Sequence, residues 1–550
     1  MTYNARPMDE RPARLLEYGT FRRPGSPLFR DYLEDAPKIR PFFEEGGFSI
    51  EALSRAAERT ASLPRQREAL ALCLERQQRE RGSLAAAAQA QRLALPNATA
   101  VVTGQQPVLF GGPLFVLYKG LGALCLARLL EKRLKTPVVP VFWVASDDHD
   151  FAEIRSTTVL DEAGELRTVR YEPLQEPLGK PASQIILDPS IEKLLDSLAG
   201  LLPPTLHRDD ILARLRRSYR PGASLSQSFA SFLSSVLPEL VVLDPADPAL
   251  KTLMAPVLAR EIEEGSPTSR LAAEVGERLL EGGYHQQVPV RQGLLNLFVT
   301  MDGERRAVGF ADSEIEVRGL GRTLTKADAL MRLKADPAPW SPGVLLRPLA
   351  EDFMLPTLAY LGGPAEIAYH AQIGTSYSHF GIPRPAIVPR PSLTLVEPAQ
   401  WRALDAEGLD ILDLDGEVEA LLNRRAREAH PGVETAFETL RKPVEEGMAR
   451  VASALSEVDP TLEGASEATL GRILHQIDTL HEKATRALKK RDVSRSDRLR
   501  RTRDALFPGG ALQERGLGLV SVLARHGVAV TDALLERLDP LARGHQVISL

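Results

Sequence analysis

Residues 98–150 read ATAVVTGQQPVLFGGPLFVLYKGLGALCLARLLEKRLKTPVVPVFWVASDDHD, and this stretch decides the fold. It opens with a short β-branched run over residues 98–103, and a loop rich in glycine and proline follows over residues 104–113. Helical periodicity then extends over residues 114–134, and the continuous apolar run 138–145 is typical of a strand buried on both faces. The order strand, loop, helix, strand predicts a βαβ unit in a parallel sheet, and therefore an α/β fold.

The loop after the first strand is one candidate binding site, because ligands bind beyond the carboxyl ends of strands in an open parallel sheet. The first amides of the following helix can also face a phosphate or carboxylate there. The residues concerned are Thr103, Gly104, Gln105, Gln106, Gly111 and Gly112. Their spacing matches neither the dinucleotide fingerprint nor the GxxxxGK[ST] phosphate loop, which disfavours a nicotinamide enzyme or an ordinary P-loop ATPase. The alternative is a merely tight connection.

The cluster Ser146-Asp147-Asp148-His149-Asp150 follows directly on the buried run. Neighbouring carboxylates raise the pKa of an imidazole and of one another, so we expect His149, with Asp148 and Asp150, to exchange a proton near neutral pH as the catalytic group. Carboxylate oxygens would equally suit Mg²⁺, so general-base work and cation binding stay open at this point. The alternative is a solvated acidic turn in which Asp150 caps the next helix.

Further candidate binding residues lie downstream. Asp244 follows the apolar run 240–243, which resembles another buried strand. Arg390, flanked by prolines, either grips a substrate carboxylate or makes a structural ion pair. We expect the block 347–390, with a helix-like run over residues 365–380, to return to the core and complete the cleft. Its candidates are Arg347, Asp352, Gly362, Gly363, Glu366, Tyr369 and Gln372, although a polar stripe on a helix is often only its wet side.

The rest of the chain predicts helices, insertions and a coiled coil. The first hundred residues resemble helices, and residues 287–309 alternate like a hairpin that turns at Asp302-Gly303. Between residues 418 and 488, apolar residues at spacings of three and four predict two antiparallel helices of a coiled coil. Pro443 should kink the first of these or mark a start within it. The seam residues are Val433, Phe437, Leu440, Val444, Met448, Val451 and Leu455, facing Leu470, Ile473, Ile477, Leu480, Ala484 and Ala487.

Composition narrows the class of protein. A chain of 550 residues is too long to fold around a single hydrophobic core. Its net charge of −5 supplies no overall attraction to nucleic acid or an anionic membrane. The basic run 486–503 contains aspartates and no aromatic residues, which favours a solvated helix face. We expect neither a membrane span nor an export signal. The two cysteines, Cys73 and Cys125, fit a reducing cytoplasm and small core residues rather than a disulfide framework.

Four segments together resemble one family. They read TGQQPVLFGGPLFVLYKG from Thr103, PVVPVFWVASDDHDFAEI from Pro137, LRPLAEDFMLPTLAYLGGPAEIAYHAQ from Leu346 and VPRPS from Val388. With FRDYLEDAPKIRPFFE near the start, LFPGGALQER and the closing HQVISL, they resemble the cysteine-adding enzymes of bacillithiol biosynthesis over nearly the whole chain.

The resemblance implies a Rossmann-type core like that of class I aminoacyl-tRNA synthetases, over residues 1–410 with insertions near 155–225 and 265–335. It also implies a coiled-coil dimerisation domain over residues 411–505, a C-terminal segment 506–550 that packs on the core, and a homodimer. The implied reaction joins the carboxyl of L-cysteine to the amine of glucosaminyl malate, with ATP as co-substrate and Mg²⁺ as a further candidate. The histidines of the synthetase HIGH motif are absent, since residues 109–113 read LFGGP, so the mode of activation stays open. The alternatives are another class I ligase or nucleotidyltransferase, and a non-catalytic coiled-coil scaffold.

Overall fold

The computed structural model describes residues 11–43, 47–291, 293–311, 314–491 and 493–550. Contacts within the chain divide it into two compact units. The first unit extends to Leu395 and resumes over Leu512–Leu550, and the second comprises Val396–Ala511. The domain limits expected near residues 410 and 505 stay predictions.

The strands of the first unit form several sheets. They are β1 (Arg14–Leu16), β2 (Thr99–Gln105), β3 (Val138–Val144), β4 (Ser156–Leu160), β5 (Leu166–Arg170), β6 (Val241–Leu243), β7 (Leu294–Met301), β8 (Glu304–Ala311), β9 (Glu314–Val317), β10 (Arg322–Leu324), β11 (Trp340–Pro342), β12 (Thr357–Gly362), β13 (Ala386–Pro389), β14 (Ser392–Val396) and β15 (His545–Ser549).

The helices that accompany these strands are α1 (Pro27–Leu33), α2 (Ile50–Ala61), α3 (Arg67–Glu80), α4 (Leu84–Gln91), α5 (Leu114–Leu134), α6 (Phe151–Ile154), α7 (Ser190–Leu201), α8 (Arg208–Ser218), α9 (Leu225–Val236), α10 (Pro248–Glu263), α11 (Pro267–Glu281), α12 (Lys326–Ala335), α13 (Arg347–Met354), α14 (Pro364–Gln372) and α15 (Gly374–Phe380). After the second unit, the first unit adds α21 (Gln513–Gly516), α22 (Leu519–His526) and α23 (Val530–Arg537). The second unit contains α16 (Pro398–Glu407), α17 (Val418–Glu428), α18 (Pro431–Ser456), α19 (Leu462–Arg491) and α20 (Val493–Leu506).

The central sheet is parallel, with the order β13-β12-β2-β3-β6. The predicted βαβ unit is confirmed as β2, α5 and β3, and the short strand before Asp244 is confirmed as β6. Every residue of β3 and of β12 is buried, as a strand covered on both faces requires. The carboxyl ends of the strands therefore place Gln105, Val144 and Gly362 along one edge of the sheet.

The hairpin predicted within residues 287–309 is also confirmed. Strands β7 and β8 pair antiparallel and extend into the antiparallel sheet β10-β9-β8-β7-β11. Asp302 and Gly303 form the turn with φ of 53° and 80°, a conformation that a two-residue hairpin loop needs. This hairpin stands over the carboxyl edge of the central sheet and brings Arg305 there.

Two local expectations need correction. The run 365–380 is helical as predicted, but it is divided at Ile373 into two helices, α14 and α15; near this break Arg384 donates to the carbonyl of His370 over 2.5 Å. The early residues were expected to be helical, yet β1 pairs antiparallel with β15 near the end of the chain. Strand pairs across the whole sequence cannot be deduced from a local pattern.

The second unit is helical, and α18 and α19 lie antiparallel. Glu434 contacts His481 over 2.7 Å, Arg441 pairs with Asp478, and the rings of Phe437 and His481 stack at 4.4 Å. Pro443 lies inside α18, which continues through it, so it marks no helix start. Among the described residues, no helix combines the length and apolar character needed to cross a membrane.

Candidate functional site

The glutamine loop and the acidic cluster meet at the carboxyl edge of the sheet. The side-chain amide of Gln106 donates to Asp148 Oδ2 over 2.7 Å and to Glu153 Oε2 over 2.9 Å. The backbone amide of Ala145 donates to the carbonyl of Gln105 over 2.9 Å. The structure thus brings the two motifs together, as their places on neighbouring parallel strands indicate.

Each carboxylate of the acidic cluster has its own partner. Asp147 Oδ2 pairs with the buried ammonium of Lys251 over 2.6 Å. Asp148 Oδ1 accepts from the amide of His149 over 2.7 Å, and Asp150 accepts from the amide of Glu153 as the N-cap of α6. The capping role weighed for Asp150 is therefore confirmed, and the three acids have different partners.

His149 lies beside a cation that the sequence analysis missed. Its Nδ1 is 3.3 Å from Arg305 Nη1 and 3.8 Å from Asp148 Oδ1. Burial lowers the pKa of His149 from its ordinary value, and Arg305 lowers it further, while Asp148 and Asp150 raise it less. The carboxylates act in the expected direction, but the expected net rise of this pKa is wrong, because desolvation and Arg305 outweigh them. The imidazole is consequently neutral at neutral pH and can accept a proton.

A cavity of about 560 Å³, here called the histidine cavity, opens beside His149. Its floor comes from the end of β3, and its walls from the hairpin and from the residues before β7. Apolar and aromatic walls with a few polar groups are typical of a small-molecule site. The lining includes Trp143, Asp147, Asp148, His149, Ser269, Val288, Asn296, Phe298, Arg305, Val344 and Arg347.

A second cavity of about 410 Å³, here called the lysine cavity, adjoins the first. The two share Trp143, Ala145, Val344 and Arg347 in their lining. Cations are frequent in the lysine cavity, which suits a carboxylate or a phosphate. Its other lining residues include Gly104, Gln105, Gln106, Phe115, Lys119, Tyr360, Gly363, Glu366, Tyr369, Arg390 and Arg515.

Lys119, on α5, organises the lysine cavity and was not among the predicted site residues. Its ammonium contacts the carbonyl of Gly104 over 2.6 Å, Gln105 Oε1 over 3.1 Å and Glu366 Oε2 over 2.6 Å. The side chain is only 2% exposed. The sequence could have indicated this residue, because a lysine within the apolar run 113–130 would carry its charge into a buried helix and would need specific partners there.

Arg347 stands in the wall common to both cavities. Its Nη1 donates to Glu351 over 2.5 Å, and its Nη2 donates to the hydroxyl of Tyr369 over 2.9 Å. The guanidinium also lies 5.8 Å from the ring centre of Trp143. Arg347 and Tyr369, both predicted from the sequence, therefore lie together in the cleft.

Several predicted residues lie beneath the surface of the cleft and do not line either cavity. Thr103 is buried and donates to the carbonyl of Leu361 over 2.9 Å, and Ser146 donates to the buried carboxylate of Asp244. Gln372 is buried and bonds to the backbone of Val288. Among the predicted residues, those absent from the linings of both cavities are Thr103, Gly111, Gly112, Ser146, Asp150, Asp244, Asp352, Gly362 and Gln372.

Gly111 and Gly112 lie at the start of α5, where an anion site was expected. Their amides donate to the carbonyls of Val108 and Leu109, and the amide of Leu114 donates to the carbonyl of Leu517. The C-terminal part of the first unit thus covers this corner, and these three amides have partners within the protein, which does not support the expected anion site.

Asp352 does not line either cavity. Its side chain accepts a hydrogen bond from Tyr377 over 2.6 Å and is buried between helices rather than in the cleft. Burial raises its pKa to about 6. On α13, Arg347 therefore faces the cavities, and Asp352 faces the core.

Arg390 lines the lysine cavity and also makes the ion pair weighed for it. Its Nη2 donates to Glu514 over 2.6 Å, and its Nη1 donates to the carbonyl of Pro391 over 2.9 Å. Both members of the pair are buried. Part of the Arg390 guanidinium is thus engaged in structural contacts. Its binding of a substrate carboxylate stays a prediction.

The described residues contain no group of three or more His, Cys, Asp or Glu side chains that could hold a metal ion. The acids of the cluster are engaged by Lys251, Gln106 and backbone amides. These residues do not fit a metal centre made by the protein alone, so no chemical step is derived through one.

The parallel sheet, the cleft at its carboxyl edge and the helical second unit define a Rossmann-like α/β protein with a coiled-coil domain. Comparison with known families agrees over nearly the whole length. Residues 16–391 match the N-terminal Rossmann-like domain of bacillithiol biosynthesis BshC, and residues 393–550 match the C-terminal coiled-coil domain of the same family. The chain belongs to this bacillithiol biosynthesis family.

Curated relatives support the assignment. A protein of Salinibacter ruber named "Putative cysteine ligase BshC" is 33% identical over 95% of this chain and 96% of its own length. The protein of the same name from Koribacter versatilis is 33% identical over 92% of this chain and 94% of its own length. A third, from Symbiobacterium thermophilum, is 32% identical over 94% of this chain and 97% of its own length.

Proposed function

We propose that this chain is a ligase of bacillithiol biosynthesis that joins the carboxyl of L-cysteine to the amine of glucosaminyl malate, forming an amide. The observation that carries the proposal is the shared wall at Arg347, which separates a cation-rich cavity from a cavity that contains a neutral imidazole. Amide formation needs both environments side by side, since an anionic carboxyl must be activated and an amine must lose a proton.

The proposed proton acceptor is His149. A substrate ammonium must become a neutral amine before it attacks, and a neutral imidazole can accept its proton. Arg305 and burial keep the imidazole unprotonated, and the carboxylate of Asp148, 3.8 Å from Nδ1, would stabilise the imidazolium that forms. Asp150 contributes through the cap of α6 and through its charge.

We place the activation of the carboxyl in the lysine cavity, with ATP as the co-substrate. A free carboxylate is a poor acyl donor, and transfer of an adenylyl or phosphoryl group to it would create a leaving group. Lys119, Arg347 and Arg390 would balance the negative charge of the reacting groups, while Gln105 and Gln106 supply neutral donors and acceptors. Any Mg²⁺ would be held by the phosphates of the nucleotide.

The test is a product assay with purified protein, L-cysteine, glucosaminyl malate and ATP, followed by mass spectrometry for bacillithiol. The appearance of AMP or ADP separates adenylyl from phosphoryl transfer. His149→Asn keeps a similar shape but removes the base, and should abolish turnover while leaving the fold intact. Absence of product from folded protein with any nucleotide would refute the ligase, and product with another amino acid alone would change the substrate assignment.

We also propose that the chain forms a homodimer through its coiled coil. Of the seam residues on α18 and α19, Leu440, Val451 and Leu480 remain about half exposed in the single chain. A second copy would remove this apolar surface from water. Sedimentation equilibrium should give twice the mass of one chain for the wild type. The double variant Leu440→Glu with Leu480→Glu should give the mass of a single chain without loss of helix content.

A further inference from the structure

The buried carboxyl of Glu351 contacts the guanidinium of Arg347 on the side away from the two cavities. Glu351 lies one turn further along α13, and its Oε2 accepts from Arg347 Nη1 over 2.5 Å. On the other side, Arg347 Nη2 contacts the hydroxyls of Tyr369 and Tyr360 over 2.9 Å and 3.5 Å. These contacts leave the guanidinium 17% exposed, toward the wall of the two cavities.

Glu351 itself does not line either cavity. Its side chain is 1% exposed, and within the described part of the chain its Oε1 has no hydrogen-bond partner. A buried carboxyl oxygen without a partner is costly, so nothing in its own surroundings favours an acid at this position except the contact with Arg347. The geometry therefore connects Glu351 with the cleft through Arg347 alone.

We propose that Glu351 is a positioning residue for the ligation reaction, which fixes the guanidinium of Arg347 in the shared wall and tunes its attraction for an anionic substrate group. The proposal rests on the function proposed above, because it concerns the same cleft. A guanidinium held on one side by a carboxyl and on the other by hydroxyls loses little further freedom when it binds an anion. Without Glu351, Arg347 would lose its ionic partner and keep its contacts with the tyrosine hydroxyls and with the ring of Trp143.

The charge of Glu351 matters as well as its shape. Burial raises the pKa of Glu351 to about 8, and Asp352 and Glu366 raise it too, while Arg347 lowers it. Above that pH the carboxylate offsets the positive charge of Arg347, so the attraction for an anion weakens as pH rises. The charged or titratable groups around Glu351 are Arg347 and Asp352 on α13, Tyr360 on β12, Glu366 and Tyr369 on α14, and Tyr377 on α15.

The experiment compares Glu351→Ala and Glu351→Gln with Tyr377→Phe. The last variant is the matched control, because it removes a buried hydrogen bond of the same helix, to Asp352, without touching Arg347. Crystal structures of all three report the position of the guanidinium independently of activity. Kinetics over pH 6.5–9.5 report KM for each substrate and kcat.

In Glu351→Ala, we expect a displaced Arg347 and an increase of at least about tenfold in KM for one anionic substrate, with a smaller change in kcat. Glu351→Gln should restore the position of Arg347 and most of the KM, yet lose the rise in KM that we expect for the wild type above about pH 8. Tyr377→Phe should keep Arg347 in place and the wild-type KM. An unmoved Arg347 in Glu351→Ala, or equal kinetic effects of Glu351→Ala and Tyr377→Phe, would overturn the proposal. If the wild type forms no product, the ligase proposal fails, and the crystal structures alone still decide whether Glu351 positions Arg347.

Discussion

The side-chain amide of Gln106 lies 2.7 Å from Asp148 Oδ2, and this hydrogen bond joins the loop after β2 to the acidic cluster after β3. The same amide reaches Glu153 over 2.9 Å. One neutral donor thus lies between two carboxylates, at the point where the walls of the lysine and histidine cavities meet. Without this donor, both acids would lose the hydrogen-bond partner that they share.

Replacement of Gln106 should therefore separate hydrogen bonding from charge. Gln106→Ala removes the donor, and Gln106→Glu adds a third carboxylate at the same place, so we expect the second variant to be the more damaging. A loss of about tenfold or more in kcat/KM for Gln106→Ala would match a misplaced reacting group. Gln89→Glu, on α4 beside Arg92, is the surface control and should leave kcat/KM unchanged. Equal kcat/KM for both Gln106 variants and the wild type would show that the link is not needed.

The buried pair of Lys119 and Glu366 should contribute to stability. Lys119→Met leaves the carboxylate of Glu366 without its cation and frees Gln105, and should cost about 3–5 kcal/mol of unfolding free energy. The double variant Lys119→Met with Glu366→Gln should lose less than the sum of the single variants, because the unpaired charge is gone. Denaturant unfolding measures each value. Arg128→Met breaks the exposed pair with Glu239 and should cost less than about 1 kcal/mol. A strictly additive cycle would contradict a direct interaction.

The pKa of His149 should respond to Arg305. Since burial and Arg305 lower this pKa, Arg305→Gln should raise it, and the acidic limb of the pH profile of kcat/KM should move to higher pH. The lowered pKa also makes the stability of the folded protein depend on pH. The folded protein disfavours the protonated imidazole, so stability decreases as pH falls below the unfolded pKa of about 6.5, and it should decrease less in the variant. Histidine resonances in NMR titrations give the pKa, with the exposed Arg167→Gln as control. An unchanged pKa in Arg305→Gln would refute the assigned cause.

The sequence predicted those parts of the fold that depend on near neighbours. The β-branched and apolar runs around α5 gave the βαβ unit, and Asp302-Gly303 gave the hairpin turn, because periodicity and turn chemistry act within a few residues. The position of Gln106 beside Asp148 followed from one rule, that adjacent parallel strands end at the same edge.

Electrostatic details of the site could not be predicted in this way. Lys119 and Glu366 are 247 positions apart, and His149 and Arg305 are 156 positions apart, so neither pair has a local signature. The incorrect direction for the pKa of His149 has this origin, since only the carboxylates were visible in the local sequence. The contacts at the start of α5 could not be predicted either, because Leu517, which accepts from the amide of Leu114, lies near the far end of the chain.

Gly112 gives a direct test of whether the start of α5 is a structural corner rather than a binding site. Its φ of 72° and ψ of −161° belong to a region that glycine alone adopts readily, and an added Cβ would lie 2.8 Å from the Cβ of Val108. Gly112→Ala should thus cost at least about 1–3 kcal/mol of unfolding free energy. Gly200→Ala, in α7 where an added Cβ meets nothing within 4 Å, should instead stabilise the protein by about 0.5–1 kcal/mol. Because the amides at this corner already have partners, the folded fraction of Gly112→Ala should keep the wild-type KM for ATP; a KM that rises as strongly as in a variant of Arg347 would return this corner to the binding site.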